Sequence, residues 1–247
     1  MSMSDDKKKQ GFGRRQLIGG GLAAVAVGAL STMFPELANA ETRTARGLTT
    51  VNDDEWYLQE AQSTTELDDT TARRSAAALT ASSALAPFAA KHIDSAKSGT
   101  IAKSAIRKYK DGRTITVTGT NLSDTRAVLN WQEHLADGSV GRSATAMYDI
   151  TKDAATLVGT GGSASTLKSV TAAAGTDAVM KLKCPVGTYA VRLCTSIDLA
   201  GFGSCCGGCV VAFYGSPVAG FLCASIVCTS CYVKNCKKWT NTCAANH

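Results

Sequence analysis

The sequence predicts an α+β chain in which a cysteine-free α+β region is followed by a small, disulfide-rich, mainly helical C-terminal domain. Three observations predict this. All ten cysteines lie between Cys184 and Cys243, and none occurs before them. The stretch ahead of them passes from alanine-rich, helix-prone sequence to residues that alternate in the strand manner. A run dense in Ala, Ser, Thr and Gly, residues 161–177, separates the two parts and reads as an exposed linker.

The chain opens with charges (Asp5, Asp6, Lys7 to Lys9) and the pair Arg14-Arg15, followed by a glycine-interrupted apolar run, Leu17 to Leu30. That run is 14 residues, short of the roughly 18 expected of a spanning helix. It leads to Ala38-Asn39-Ala40, the small-x-small pattern that signal peptidase cuts, so residues 1–40 are expected to be a signal peptide and the mature chain to begin at Glu41. Arg14 and Arg15 ahead of a weakly hydrophobic core resemble a twin-arginine export signal. Secretion is the expected destination.

Residues 41–160 form the cysteine-free region. From Glu41 to Asp177 there are 15 Lys plus Arg against 16 Asp plus Glu, a balance of −1. Ser63-Thr-Thr-Glu66 has capping-box spacing, and helices are expected over about 64–107: one from about Thr70 to His92, broken or kinked at Pro87, and one from about Ile93 to Arg107. Antiparallel strands are expected over about 114–158, in Thr114–Thr120, Ala127–Gln132, Ala144–Ile150 and Ala155–Val158, with Asp137-Gly138 as a tight turn. A small meander packed on the helices is the economical arrangement.

Residues 178–247 hold Cys184, Cys194, Cys205, Cys206, Cys209, Cys223, Cys228, Cys231, Cys236 and Cys243. So short a segment cannot bury a robust core of its own, and cross-links offset that deficit by about 2–4 kcal/mol each. Adjacent Cys205 and Cys206 are poor partners for each other and are expected to bond different residues, pinning two parts of the segment. The pairing is open among roughly 950 possibilities. Cys206-x2-Cys209 and Cys228-x2-Cys231 also have zinc-ribbon spacing, but the 18 residues between them are apolar and six cysteines would be left over. Export favours disulfides, and no metal or other cofactor is expected.

The tail is cationic. From Ala178 onward six basic residues (Lys181, Lys183, Arg192, Lys234, Lys237, Lys238) face Asp198 alone, giving +5, and no charge occurs between Leu199 and Val233. A cationic segment with an apolar middle has the make-up of a peptide that meets anionic membranes. Val210–Tyr214 and Val218–Val227, separated by Gly215-Ser216-Pro217, fit a helical hairpin. Phe213, Phe221, Lys234, Lys237, Lys238 and Trp239 are the candidate contacts with a target-cell membrane or membrane protein. The competing assignment makes Phe213, Val218, Phe221, Leu222, Ile226 and Val227 an ordinary buried core and the basic end a solvated surface.

No catalytic residue is expected. The three histidines, His92, His134 and His247, sit in no HExxH, and no serine sits in GxSxG. Cys206-Gly-Gly-Cys209 and Cys228-Thr-Ser-Cys231 share the CxxC spacing of thiol oxidoreductases, yet no preceding strand supports that placement. No nucleic-acid partner is expected.

A twin-arginine-type leader, a cysteine-free middle and a ten-cysteine tail resemble the precursors of cysteine-rich halocins, small archaeal bacteriocins, and their bacterial relatives. The resemblance covers the whole layout and is most specific in Cys205-Cys206-Gly-Gly-Cys209, Ser216-Pro-Val-Ala-Gly-Phe-Leu-Cys223 and Ile226-Val-Cys228. It implies that the tail is released as an antimicrobial peptide and that the upstream region is its immunity or pro-region, binding and neutralising it. A processing protease would act between Ala172 and Lys183. The net charge of +6 departs from the acidic proteins of halophiles and points to a bacterial or non-halophilic source. The rival expectation is an exported metal-binding or structural cysteine-rich protein that is not cleaved.

Overall fold

The computed structural model describes residues 55–82, 85, 93–94, 97–161, 168–169, 184, 186 and 188–245. The export residues Arg14, Arg15, Ala38 and Ala40, together with His92, Pro87, His247, most of the linker and the expected cut between Ala172 and Lys183, lie outside them.

The elements run β1 (Ser63–Glu66), α1 (Asp69–Ala81), β2 (Ala102–Lys108), β3 (Thr114–Ser123), β4 (Arg126–His134), β5 (Val140–Ile150), β6 (Ala154–Gly161), β7 (Lys168–Ser169), β8 (Thr188–Asp198), α2 (Leu199–Cys205), a 3-10 turn (Gly207–Cys209), α3 (Val210–Gly215), α4 (Pro217–Val227), α5 (Thr229–Lys234) and β9 (Cys236–Ala245). One antiparallel sheet in the order β1-β2-β3-β4-β5-β6-β8-β9 takes in both the cysteine-free region and the tail, and β7 adds to β6.

This overturns the expected fold class. The molecule is mostly antiparallel sheet with few helices, and the C-terminal part is a sheet and disulfides rather than mainly helical. Among the described residues of 64–107, helix is confined to α1, and the expected stretch around Pro87 and His92 lies outside them. Ser63–Glu66 is an edge strand paired with β2, not a capping box. The helix starts five residues later, where Asp68 Oδ1 accepts from the Thr71 amide at 3.0 Å. Ala102–Lys108, rich in the helix formers Ala, Lys and Arg, is strand because β3 beside it supplies a seven-residue ladder that outweighs local propensity. Both tail strands were missed as elements: β8 and β9 pair along almost their whole length.

The four expected strands from Thr114 to Val158 are present and longer, and Gly138, at φ 84°, turns the β4–β5 hairpin where Asp137-Gly138 marks it. Alternation sorts their side chains onto two faces. Ile115, Val117, Leu129, Trp131, Ala146 and Tyr148 face the main core, which they share with the tail. Leu122, Val128 and Met147 face the other way and make a smaller core with Leu85.

The tail's two apolar pieces form the expected helix pair, α3 and α4. Pro217 sits in the first turn of α4 and Ser216 Oγ accepts from the Ala219 amide at 3.4 Å, a proline and cap that together fix the start. Helix α4 carries no charge on any face and is buried over most of its surface, as a helix packed into a core is. Its Val218, Phe221, Leu222, Ala224 and Ile226 are buried.

Candidate functional interface

The cysteines decide which parts of this molecule are cross-linked. Cys184 bonds Cys243, Cys194 bonds Cys236, Cys205 bonds Cys231, Cys206 bonds Cys228 and Cys209 bonds Cys223. The pairing is fully nested, so the tail is one hairpin whose two arms are tied at successive levels. Cys205 and Cys206 do bond different partners, but those partners lie three residues apart across the start of α5, so the pair pins one place rather than two. Cys206, Cys209, Cys228 and Cys231, the zinc-ribbon set, are spread over three bridges, which leaves no thiolate among them for a metal.

Every bridge therefore joins tail to tail. Apart from the linker itself, the described contacts that join the tail to the upstream region are noncovalent, and they form a continuous seam. At one edge β6 pairs with β8, Ala154 opposite Asp198 through Thr156 opposite Ser196, and the Leu199 amide donates to Asp153 O at 3.0 Å. Next comes a buried tyrosine relay. Tyr148 OH donates to Cys194 O at 2.9 Å and meets Tyr232 OH at 2.6 Å, while Tyr232 OH accepts from the Cys194 amide at 3.3 Å. Burial pushes the Tyr148 hydroxyl well above its ordinary pKa and that of Tyr232 up to about 12, so both remain neutral hydrogen-bonding groups. Tyr189 OH exchanges hydrogen bonds with the backbone of Ser143, and Tyr57 OH donates to Arg192 O at 2.6 Å beside the Arg192–Glu55 ion pair.

In the middle of the seam α4 lies on the β2–β3–β4 face. At Gly119 it approaches closely: a Cβ there would fall 2.7 Å from a Leu222 methyl carbon and 2.9 Å from one of Ile226. The Phe221 ring packs on Tyr148 at 5.1 Å, and Trp131 packs on Tyr232 at 6.1 Å. Arg107, fully buried on β2, reaches the end of α4. Its Nη2 donates to Ser225 O at 3.1 Å and Ile226 O at 2.9 Å, and its Nη1 to Tyr57 O at 3.3 Å.

Beside the seam, Glu133 on β4 is held by two arginines. Arg142 donates to it from its amide, Nε and Nη2 at 3.1, 2.9 and 2.9 Å, and Arg113 Nη1 donates at 3.2 Å. Burial alone would raise this carboxyl, but Arg142 and then Arg113 overcome it and hold its pKa below the ordinary value.

The predicted membrane contacts fall in different places. Phe221 is buried in the main core and Phe213 is half-buried against Phe202, 6.4 Å between centroids, so in the intact chain the Phe221 ring is covered by the upstream sheet. Trp239 is half-buried, its ring between Tyr232 and the Arg192 guanidinium. Lys234, Lys237 and Lys238 are exposed, and Lys237 Nζ lies 3.1 Å from Asp198. Two apolar residues not predicted as contacts, Val211 and Tyr214, are exposed on α3, Tyr214 at 87 %. They alternate with half-buried positions in a charge-free run, where sequence alone does not tell inside from outside.

His134 lies half-buried on β4 with its pKa lowered by burial. Among the described residues no helix is long and apolar enough to cross a membrane, and no cluster of three or more His, Cys, Asp or Glu could hold a metal ion. Against known proteins, the chain matches no family model, no curated protein and no solved structure.

Proposed function

We propose that the chain is the precursor of a secreted, halocin-like antimicrobial peptide: the cysteine-rich tail is the active part, released by proteolysis, and the upstream region is the pro- or immunity region that holds it inactive. The observation that carries this reading is the separation of bond types. All five disulfides close within residues 184–243, while the described seam to residues 55–161 is made of hydrogen bonds, the Arg192–Glu55 ion pair and apolar packing. One cut in the linker would free a tail that is still cross-linked throughout. The seam also covers the most apolar helix of the tail, so the upstream sheet withholds from a membrane the surface that a membrane-active peptide would present. Such a role needs no catalytic residue, and its site of action is outside the cell that makes it, after export by a twin-arginine-type signal.

The test is intact mass spectrometry of material secreted by cells that express the chain, without and with reduction, paired with a growth-inhibition assay. A species of about 70 residues that gains ten protons on reduction and inhibits growth is expected. A full-length secreted chain, inert to neighbouring cells, would support the second reading, an exported structural protein that stays intact. The continuity of one sheet across the linker is the observation that favours that alternative.

A further inference from the structure

We propose that Arg107 is the residue by which the upstream region recognises the tail, acting as a cap borrowed from outside on the C-terminal end of α4. The inference rests on the reading of the upstream region as the tail's binding partner, and it goes further in naming the contact on which that partnership turns.

An α-helix ends in four carbonyl groups without partners inside the helix, and that end carries a partial negative charge. A helix buried in an apolar core cannot leave them to water, so something must answer them. In α4 the Cys228 amide answers Ala224 O at 3.0 Å, and the Arg107 guanidinium answers Ser225 O and Ile226 O. The answering cation belongs to β2, more than a hundred residues earlier, on the other side of the predicted cut. The same guanidinium holds Tyr57 O, so a single planar fork ties the upstream segment, the upstream sheet and the tail helix together.

Two features make this recognition rather than filler. Arg107 points into an apolar face, between Ala105 and Tyr109, where leucine or methionine would satisfy packing alone; a buried charge is costly unless its hydrogen bonds are met. Gly119, on the neighbouring strand, clears the space that lets the last turns of α4 approach closely enough for the fork to reach. When the tail departs, the guanidinium loses two of its three acceptors, and the helix loses its cap. Both partners are worse off apart.

The experiment uses the full chain with a site-specific protease sequence placed in the linker, oxidised and folded, then cut. Retention of the tail is read by native size exclusion and by a dilution series that gives Kd. The cut wild-type chain is expected to keep its tail. R107M is expected to weaken retention by on the order of 100-fold, and R107K by about tenfold, because lysine keeps the charge but not the fork. R107K carries the test if R107M does not fold. The control is M147A, in the smaller core on the opposite face, which lowers stability without touching the seam and is expected to leave Kd within about threefold. Unchanged retention in R107K, or an equal loss in M147A, would overturn the role of Arg107 and leave the upstream region as the binding partner. A wild-type tail that leaves as soon as the linker is cut would overturn both.

Discussion

At the residue scale the molecule is marked by charge placed where charge is expensive. Glu133 has a side chain 2 % exposed, and it is stable there only because two arginines converge on it. Its folded pKa lies below the ordinary value, so its contribution is present in full above the unfolded pKa of about 4.3 and is lost as pH falls from there through the lower folded pKa. Replacing Glu133 with Gln is expected to cost about 2 kcal/mol at neutral pH, from weakened charge-assisted hydrogen bonds. The cost should shrink as pH falls below the ordinary carboxylate range and through the depressed folded pKa, where the wild-type carboxyl is itself protonated. Urea titrations of both proteins at several pH values measure this, and a constant difference across pH would mean that Glu133 does not carry the acid limb. Arg107 shows the same economy from the other sign. It also explains a misreading: in Ala102–Lys108 the period of two is hidden because one of the two inward positions is an arginine. A buried cation looks, in sequence, like an exposed helical one.

At the scale of elements, the disulfides behave as rungs. They span 14, 22, 26, 42 and 59 residues from the innermost outward. Once the inner bridges exist, the outermost closes only the difference, 59 less 42, a loop of 17 residues. That is worth about 3 kcal/mol on the loop-entropy model, well below what its full span suggests. The double variant Cys184→Ala, Cys243→Ala is therefore expected to lose about 3 kcal/mol and keep four bridges. Hydrogen exchange should rise only at the open end of β8 and β9, near Thr188 and Ala245. Faster exchange reaching α4 would show that the bridges act as one unit and not as successive levels. The cysteine framework was legible in outline, since spacing and export predict disulfides and the neighbours Cys205 and Cys206 had to part. The nesting was not, because pairing depends on which strands meet. The same limit hid β8 and β9. Their residues, Tyr189 to Ile197 and Lys237 to Ala244, have strand-forming character, but the cysteines among them and the loop-like Gly and Ser nearby speak of a small helical scaffold. Only the partner strand settles the matter.

At the scale of the whole molecule, composition draws a boundary that the fold does not observe. Cysteine content, charge and the Ala, Ser, Thr and Gly run all divide the chain near residues 161–183, and each of these signals is real. None of them reports on burial. The upstream meander presents Val117, Leu129, Trp131 and Tyr148 on one face, and the tail supplies Phe221, Leu222, Ile226 and Tyr232 to cover it, so the main core is made jointly. Small segments bury too little surface to stand alone, and sharing a core is the way two of them escape that limit. It follows that the uncut, oxidised chain should unfold as one unit. Near-ultraviolet circular dichroism, which reports the packed tyrosines and tryptophans of the seam, and far-ultraviolet circular dichroism, which reports the sheet, are expected to give superimposable thermal transitions with one midpoint. Cutting the linker should then make that midpoint depend on protein concentration, since folding becomes association of two pieces and mass action enters. Two separate transitions in the uncut chain would mean that the tail holds its own structure without the upstream sheet, and the seam would then be a docking of finished parts rather than a shared core.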